Sequence, residues 1–200
     1  MDAGSSHPDD VIMEIKDTIL WRGLFFPGHE ICSLFEAGSE FLLSGTALFA
    51  HEQKPCHLDY RIECDPAWHT RSATVQGALN NSFVAIHIKT DSNGHWFLND
   101  VEQPQVEGSI DIDLNFSPST NLLPIRRLSL AVGETAEVKA AWLRFPSFQL
   151  EPLLQQYQRL DENTYRYESG GGQFMTELKV NPTGFVIDYP GIWQAEALSG

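Results

Sequence analysis

The sequence is short of positive charge. Five Lys and eight Arg stand against 27 Asp and Glu in 200 residues, a formal net charge of −14 at pH 7, and the thirteen cations are scattered without a run. Binding to DNA or RNA draws most of its affinity from a basic patch that neutralises phosphate, so the composition argues against nucleic acid as a partner. Anionic membrane surfaces are disfavoured for the same reason. Long apolar runs are also missing: nothing approaches the roughly 20 residues of a membrane span. The opening MDAGSSHPDD carries acid where a secretory signal carries Lys or Arg, and the apolar residues that follow are broken by Glu14, Lys16 and Asp17. The expectation is a cytoplasmic protein with no export signal and no transmembrane segment. Cysteine is scarce. Cys32, Cys56 and Cys64 are odd in number and lack the close C-x-x-C pairing of a zinc site, so free thiols are expected, with no metal and no cofactor.

What is present is an ordinary globular composition, 42% hydrophobic and 20% charged. The length suits one domain with a sizeable core. A flexible N-terminal segment over 1–15 is expected, followed by a single domain over 16–200.

Period-two alternation dominates that span. Leu58, Tyr60, Ile62 and Cys64 fall on one face of a strand and His57, Asp59, Arg61 and Glu63 on the other, as in a sheet with one wet side. Val84, Ile86 and Ile88 repeat the pattern. Asn93-Gly94 then predicts a hairpin, because this dipeptide tolerates the positive φ angles of a tight turn. Further turn signals follow at Gly133-Glu134, Asp161-Glu162-Asn163, Gly170-Gly171-Gly172 and Asn181-Pro182-Thr183-Gly184. Strands every ten or so residues, with no alternating strand and helix patterns, predict an all-β sandwich, barrel or rolled sheet. Residues 150–160 read both ways: Leu150, Leu153, Leu154, Tyr157 and Leu160 fit a helical stripe after Pro152, whereas Gln156, Gln158 and the nearby turn fit a strand.

The densest polar constellation runs from Asp111 to Leu128. As a strand its first part sorts cleanly, with Ile110, Ile112, Leu114 and Phe116 on one face and Asp111, Asp113 and Asn115 on the other. That polar row is either a solvated face or one wall of a polar cavity. If residues 125–132 are extended, Arg126 shares a face with Leu128, Leu130 and Val132 and points inward, while Arg127 points out. The same parity puts Arg71 with Ala73 and Val75. An inward arginine needs a carboxylate or a bound anion, and Asp111 and Asp113 are the candidates. This arrangement is either a structural ion pair or a ligand floor. An enzyme reading finds little support: Asp111 and Asp113 lie about 7 Å apart on one strand face, and no HExxH or G-x-S-x-G pattern occurs.

The run Trp21-Arg22-Gly23, then Tyr60-Arg61-x-x-Cys64-Asp65-x-x-Trp68-x-Thr70-Arg71, Gly94-x-Trp96, and above all Asp111-Ile112-Asp113-Leu114 through Leu123-Pro124-Ile125-Arg126-Arg127-Leu128 resembles the glycolipid-binding family, formerly a family of unknown function. The likeness continues through Gln156-Tyr157-x-Arg159-Leu160, Tyr165-Arg166-Tyr167 and Asp188-Tyr189-Pro190. It implies a single antiparallel β-roll, a curved, spiral, barrel-like sheet shaped like the lipoprotein carriers, and it tips 154–160 towards a strand. The function it implies is non-catalytic binding of an amphiphile, such as a glycolipid, in a cavity with an apolar interior and a polar mouth. Trp68, Arg71, Asp111, Asp113, Asn115, Asn121 and Arg126 are expected around the polar end, with Tyr60, Trp96, Trp142 and Tyr157 on the aromatic wall. The alternatives are a hydrolase acting on a lipid or sugar ester, and a protein-interaction module that uses exposed strand edges. The oligomeric state is left open.

Overall fold

A computed structural model describes residues 13–199. Of the expected N-terminal tail, residues 1–12 lie outside the described residues, and β1 (Met13–Gly23) begins within the remainder. The chain forms an all-β fold built on one curved sheet of fifteen strands. After β1 come β2 (Gly28–Ala37), β3 (Glu40–His51), β4 (Lys54–Cys64), β5 (Thr70–Leu79), β6 (Ser82–Thr90), β7 (Trp96–Leu98) and β8 (Val101–Glu102), each paired antiparallel with the one before. After a crossing come β9 (Asp111–Leu114), α1 (Leu122–Leu128), β10 (Thr135–Arg144), β11 (Gln149–Arg159), β12 (Thr164–Ser169), β13 (Phe174–Val180), β14 (Val186–Tyr189) and β15 (Trp193–Leu198). Strand β15 pairs antiparallel with β1 and joins the two meanders into one ladder. The one parallel pairing sets β9 beside β10.

The ladder is open, with β8 and β9 at its ends. The roll nevertheless brings β9 against β5: Thr70 N–H donates to Ile110 O (3.2 Å), and Ile112 N–H donates to Thr70 Oγ1 (3.1 Å). Strand β4 shows the clean alternation, with Cys56, Leu58, Tyr60, Ile62 and Cys64 buried and the residues between them exposed. Strand β6 buries Val84, Ile86 and Ile88. The hairpin near Asn93-Gly94 forms, although as a five-residue loop in which Asp91 Oδ1 accepts from the N–H groups of Asn93 and His95. Residues 150–160 are almost wholly strand β11, paired without a break to β10. Glycines with positive φ occupy the turns at Gly133, Gly170 to Gly172 and Gly184. The three cysteines are buried and unpaired.

Side-chain parity across β9, β10 and β11 divides the interior in two. Ile112, Leu114, Ala141, Leu143 and Leu150 belong to the larger core. Val138 and Tyr157, on the opposite face, belong to a smaller core with Tyr165, Tyr167, Leu178, Val180 and Val186. Residues 116–125 run between them as a plug in which every residue is buried. Leu122 and Leu123 join the larger core and Ile125 the smaller one. Each fully buried leucine contributes about 1.5–3 kcal/mol of apolar burial, which holds the plug in place.

Candidate functional site

The segment expected to be extended over 125–132 is helical in its first part, and this reverses the two arginines. Pro124 sits in the first turn of α1, where a missing N–H costs nothing because those donors have no partner within the helix. Ser129 ends the helix in the left-handed conformation, its N–H donating to Ile125 O at 3.2 Å. A helix turns adjacent side chains about 100° apart instead of alternating them. Arg127 is therefore the inward one. Its Nε donates to Asp111 Oδ1 (3.0 Å) and its Nη2 to Asp111 Oδ2 (2.5 Å). Burial pushes the Asp111 carboxyl upward and Arg127 opposes that rise. Arg126 is exposed, with its guanidinium 5.2 Å from the ring of Trp68.

Trp68 is held for this contact by its loop. Asp65 Oδ1 accepts from the N–H groups of Ala67 and His69, Trp68 adopts φ +66°, and its ring stacks on Phe41 at 3.9 Å. Arg71 points outward, contrary to its parity. The ladder slips between Glu63 and Cys64, which face Ser72 and Thr70, so Arg71 is the extra residue of a β-bulge. It pairs at the surface with Asp65 Oδ2 at 2.6 Å.

The polar row of β9 is a wall of the smaller core. Asp113 receives Gln155 Nε2 at 2.7 Å and no cation, and burial pushes its carboxyl up to about 6. Gln155 also donates to the Tyr167 hydroxyl at 3.1 Å. Burial pushes the phenols of Tyr157, Tyr167 and Tyr189 up, and the nearby Asp113 carboxylate adds to each rise. Asn121 is used on both sides, accepting from Tyr157 Oη (2.9 Å) and donating to Pro118 O (3.2 Å). Asp111, Asp113, Asn121 and Tyr157 thus meet at the smaller core, with Arg126 at its α1 end, whereas Trp68 packs in the larger core.

The remaining candidates are dispersed. Asn115 is exposed, and its Oδ1 accepts from Phe145 N–H at 3.1 Å. Trp142 is half-buried with the Arg144 guanidinium 5.5 Å from its ring. Trp96 lies in the larger core and donates to Ser109 O at 3.1 Å. Tyr60 lies deep in that core, donating to Glu30 Oε1 at 2.6 Å. Ser117 Oγ donates to the same oxygen at 2.5 Å, Glu30 Oε2 has no partner among the described residues, and burial pushes the acid up to about 8. Ser117 meets a carboxyl here, but both are buried, so this is a polar knot tying the plug to β2 and β4.

Two depressions flank β11 and β12. One, of about 450 Å³, follows β10 to β12 and includes Val138, Leu154, Gln156 and Glu168. The other, of about 360 Å³, lies beside α1 and is lined by Ile125, Arg126, Ser129, Arg159, Glu162, Asn163, Tyr165, Val180, Asn181, Pro182 and Gly184. Only Arg126 of these was singled out by sequence. Arg159 and Tyr165 lie within the motifs shared with the family, but nothing in their spacing says that β11 and β12 bring them beside α1. Among the described residues no group of three His, Cys, Asp or Glu side chains could hold a metal ion, and no helix is long and apolar enough to cross a membrane.

An open all-β roll with a plugged interior and polar recesses at its margin defines the class, and comparison with known proteins gives the family. The family model described as "Putative glycolipid-binding" matches residues 18–195. The chain belongs to that family. It is similar to a crystal structure of a DUF1089 family protein from Pseudomonas aeruginosa, at 35% identity and a TM-score of 0.71, over 82% of this chain and 91% of that one. No curated protein matches.

Proposed function

We propose that this protein binds an amphiphile of the glycolipid kind without altering it, and that the polar head sits in the recess beside α1. The observation that carries this reading is the make-up of that recess. Two guanidinium groups, Asn163, Ser129 and Glu162 offer the planar and hydroxyl partners that a sugar head requires, and the Tyr165 ring stands among them. Its volume of about 360 Å³ falls within the range of small-molecule sites. Ile125 and Val180 supply apolar lining.

Membership in a family described as glycolipid-binding supports the ligand class. Support for an edge-recruiting module would be a long bare strand, whereas the terminal strand β8 has two residues and β9 four, three of them buried. Support for a hydrolase would be an accessible nucleophile beside a base, and the hydroxyl that meets Glu30 is buried.

The test is native mass spectrometry of protein purified from its own host, followed by lipid analysis of what denaturation releases. A co-purifying amphiphile supports the reading and identifies its class. Protein that is empty and also fails to take up added lipids and glycolipids overturns it.

A further inference from the structure

In a chain of charge −14 most arginines are neutralised by design of the ladder. Arg22, Arg61, Arg71, Arg127 and Arg144 each reach a carboxylate. Of the three that reach none among the described residues, two line the recess beside α1. Arg126 makes no hydrogen bond among the described residues, and its guanidinium stands 5.2 Å from the Trp68 ring. Its stem lies against Gly184, where a Cβ would come within 3.3 Å of Arg126 Cδ. Arg159 donates to three backbone carbonyls, Leu130 O (2.8 Å), Asp161 O (3.1 Å) and Glu162 O (2.7 Å). Those partners hold the guanidinium in place and leave two of its five donors unused, while the Asp161 carboxylate lies near enough for the Arg159 charge to help hold its pKa down.

Both cations bear on one point. The Tyr165 phenol, pushed up by burial, is held back by Arg159 and by Arg126. Glu162 is the single acid in the lining and pairs with neither arginine; Asp161, outside the lining, bears on Arg159 alone, so Arg126 is the cation that no carboxylate meets among the described residues. Ser129 and Asn163 add a side-chain hydroxyl and a side-chain amide without partners among the described residues.

We propose that this recess selects an anionic head: a phosphate, sulfate or carboxylate on the amphiphile, gripped by Arg126 and oriented against the fixed charge of Arg159. The inference rests on the binding reading above and narrows its ligand class. A guanidinium fork matches the paired oxygens of these anions, and Arg126, which meets no carboxylate among the described residues, favours them over a neutral sugar.

The test is calorimetric titration of the full chain, at constant ionic strength, with three probes: dodecyl phosphate, dodecyl maltoside and inorganic phosphate. The expected result is that dodecyl phosphate binds about tenfold or more tightly than the maltoside. Arg126→Gln abolishes that preference, while Arg61→Gln, on the outer face, preserves it. Arg126 is exposed, so an unchanged urea midpoint for its variant is the control for folding. Equal affinity for the two heads, or a preference that survives Arg126→Gln, overturns the anion inference and leaves amphiphile binding standing. Inorganic phosphate bound through Arg126 while neither amphiphile binds better than it overturns the amphiphile reading and leaves the anion site. No binding of any probe overturns both.

Discussion

Arg127 grips Asp111 with two parallel hydrogen bonds, and the carboxylate it holds is 1% exposed. The pair joins α1 to β9 and closes one end of the smaller core. Removing the cation leaves a buried charge with no partner, a loss of about 3–5 kcal/mol, so Arg127→Ala is expected to lower the urea midpoint sharply. Arg126→Ala removes only an exposed contact with Trp68 and is expected to cost less than about 1 kcal/mol. Equal costs for the two variants would mean that the helix does not orient these side chains as described.

That contrast marks where the sequence was legible. Alternation reveals β4 because one of its faces is wet and the other dry, from Cys56 to Cys64. It reveals which side chains of β9 share a face, but not that the second half of the roll covers the acidic one, since this depends on the pairing of β9 with β10, some 29 residues away. Arg71 was misplaced because a single extra residue reverses parity. Arg126 and Arg127 were exchanged because a seven-residue helix is under two turns, too short for its period to show against a strand's. The recess itself has no signal of its own, being assembled from α1, β11, β12, β13 and the turns after β11 and β13.

Glu30 makes stability depend on pH. Its carboxyl is pushed up to about 8 in the fold, against 4.5 ordinarily, so the native state holds a proton that the unfolded chain releases. This contribution is fully present below about pH 4.5 and is lost as pH rises to about 8. Asp113, pushed up to about 6 from 3.8, acts in the same direction over the lower part of that window. Glu30→Gln is expected to flatten the decline between pH 5 and 8, with a gain relative to the parent that grows with pH. Denaturation midpoints across that range measure it, and parallel profiles would show that Glu30 ionises freely.

Gly45 protects the same knot. It sits on β3 opposite Tyr60, and a Cβ there would come 2.4 Å from Tyr60 Cζ and Oη and 2.7 Å from Ile31 O. One obstacle is backbone and the other a ring with no room to retreat in the core, so Gly45→Ala is expected to destabilise by about 1–3 kcal/mol. The loss should be accompanied by a changed environment for the Tyr60 ring in NMR. A variant of parental stability with an undisturbed ring would show that β3 and β4 separate easily.

Asp17, 5% exposed, ties β1 and the residue after β15 to the margin of the recess. Its Oδ1 accepts from Thr18 N–H (2.8 Å) and Ser199 Oγ (2.7 Å), and its Oδ2 from Asn181 Nδ2 (2.7 Å) and Thr183 Oγ1. Four donors converge on one carboxylate that has no ion-pair partner among the described residues, so Asp17→Ala strands them together and is expected to cost on the order of 3 kcal/mol. Asp17→Asn keeps the volume but sets an amide donor against hydroxyls and an amide, and should recover only part of that loss. Asn181 has its own inner network, its Oδ1 accepting from Gly184 N–H and Phe185 N–H. Urea denaturation therefore separates two cases. A loss below about 1 kcal/mol for Asp17→Ala would mean that the turn shaping the recess holds itself. The larger loss would mean that it is held from β1.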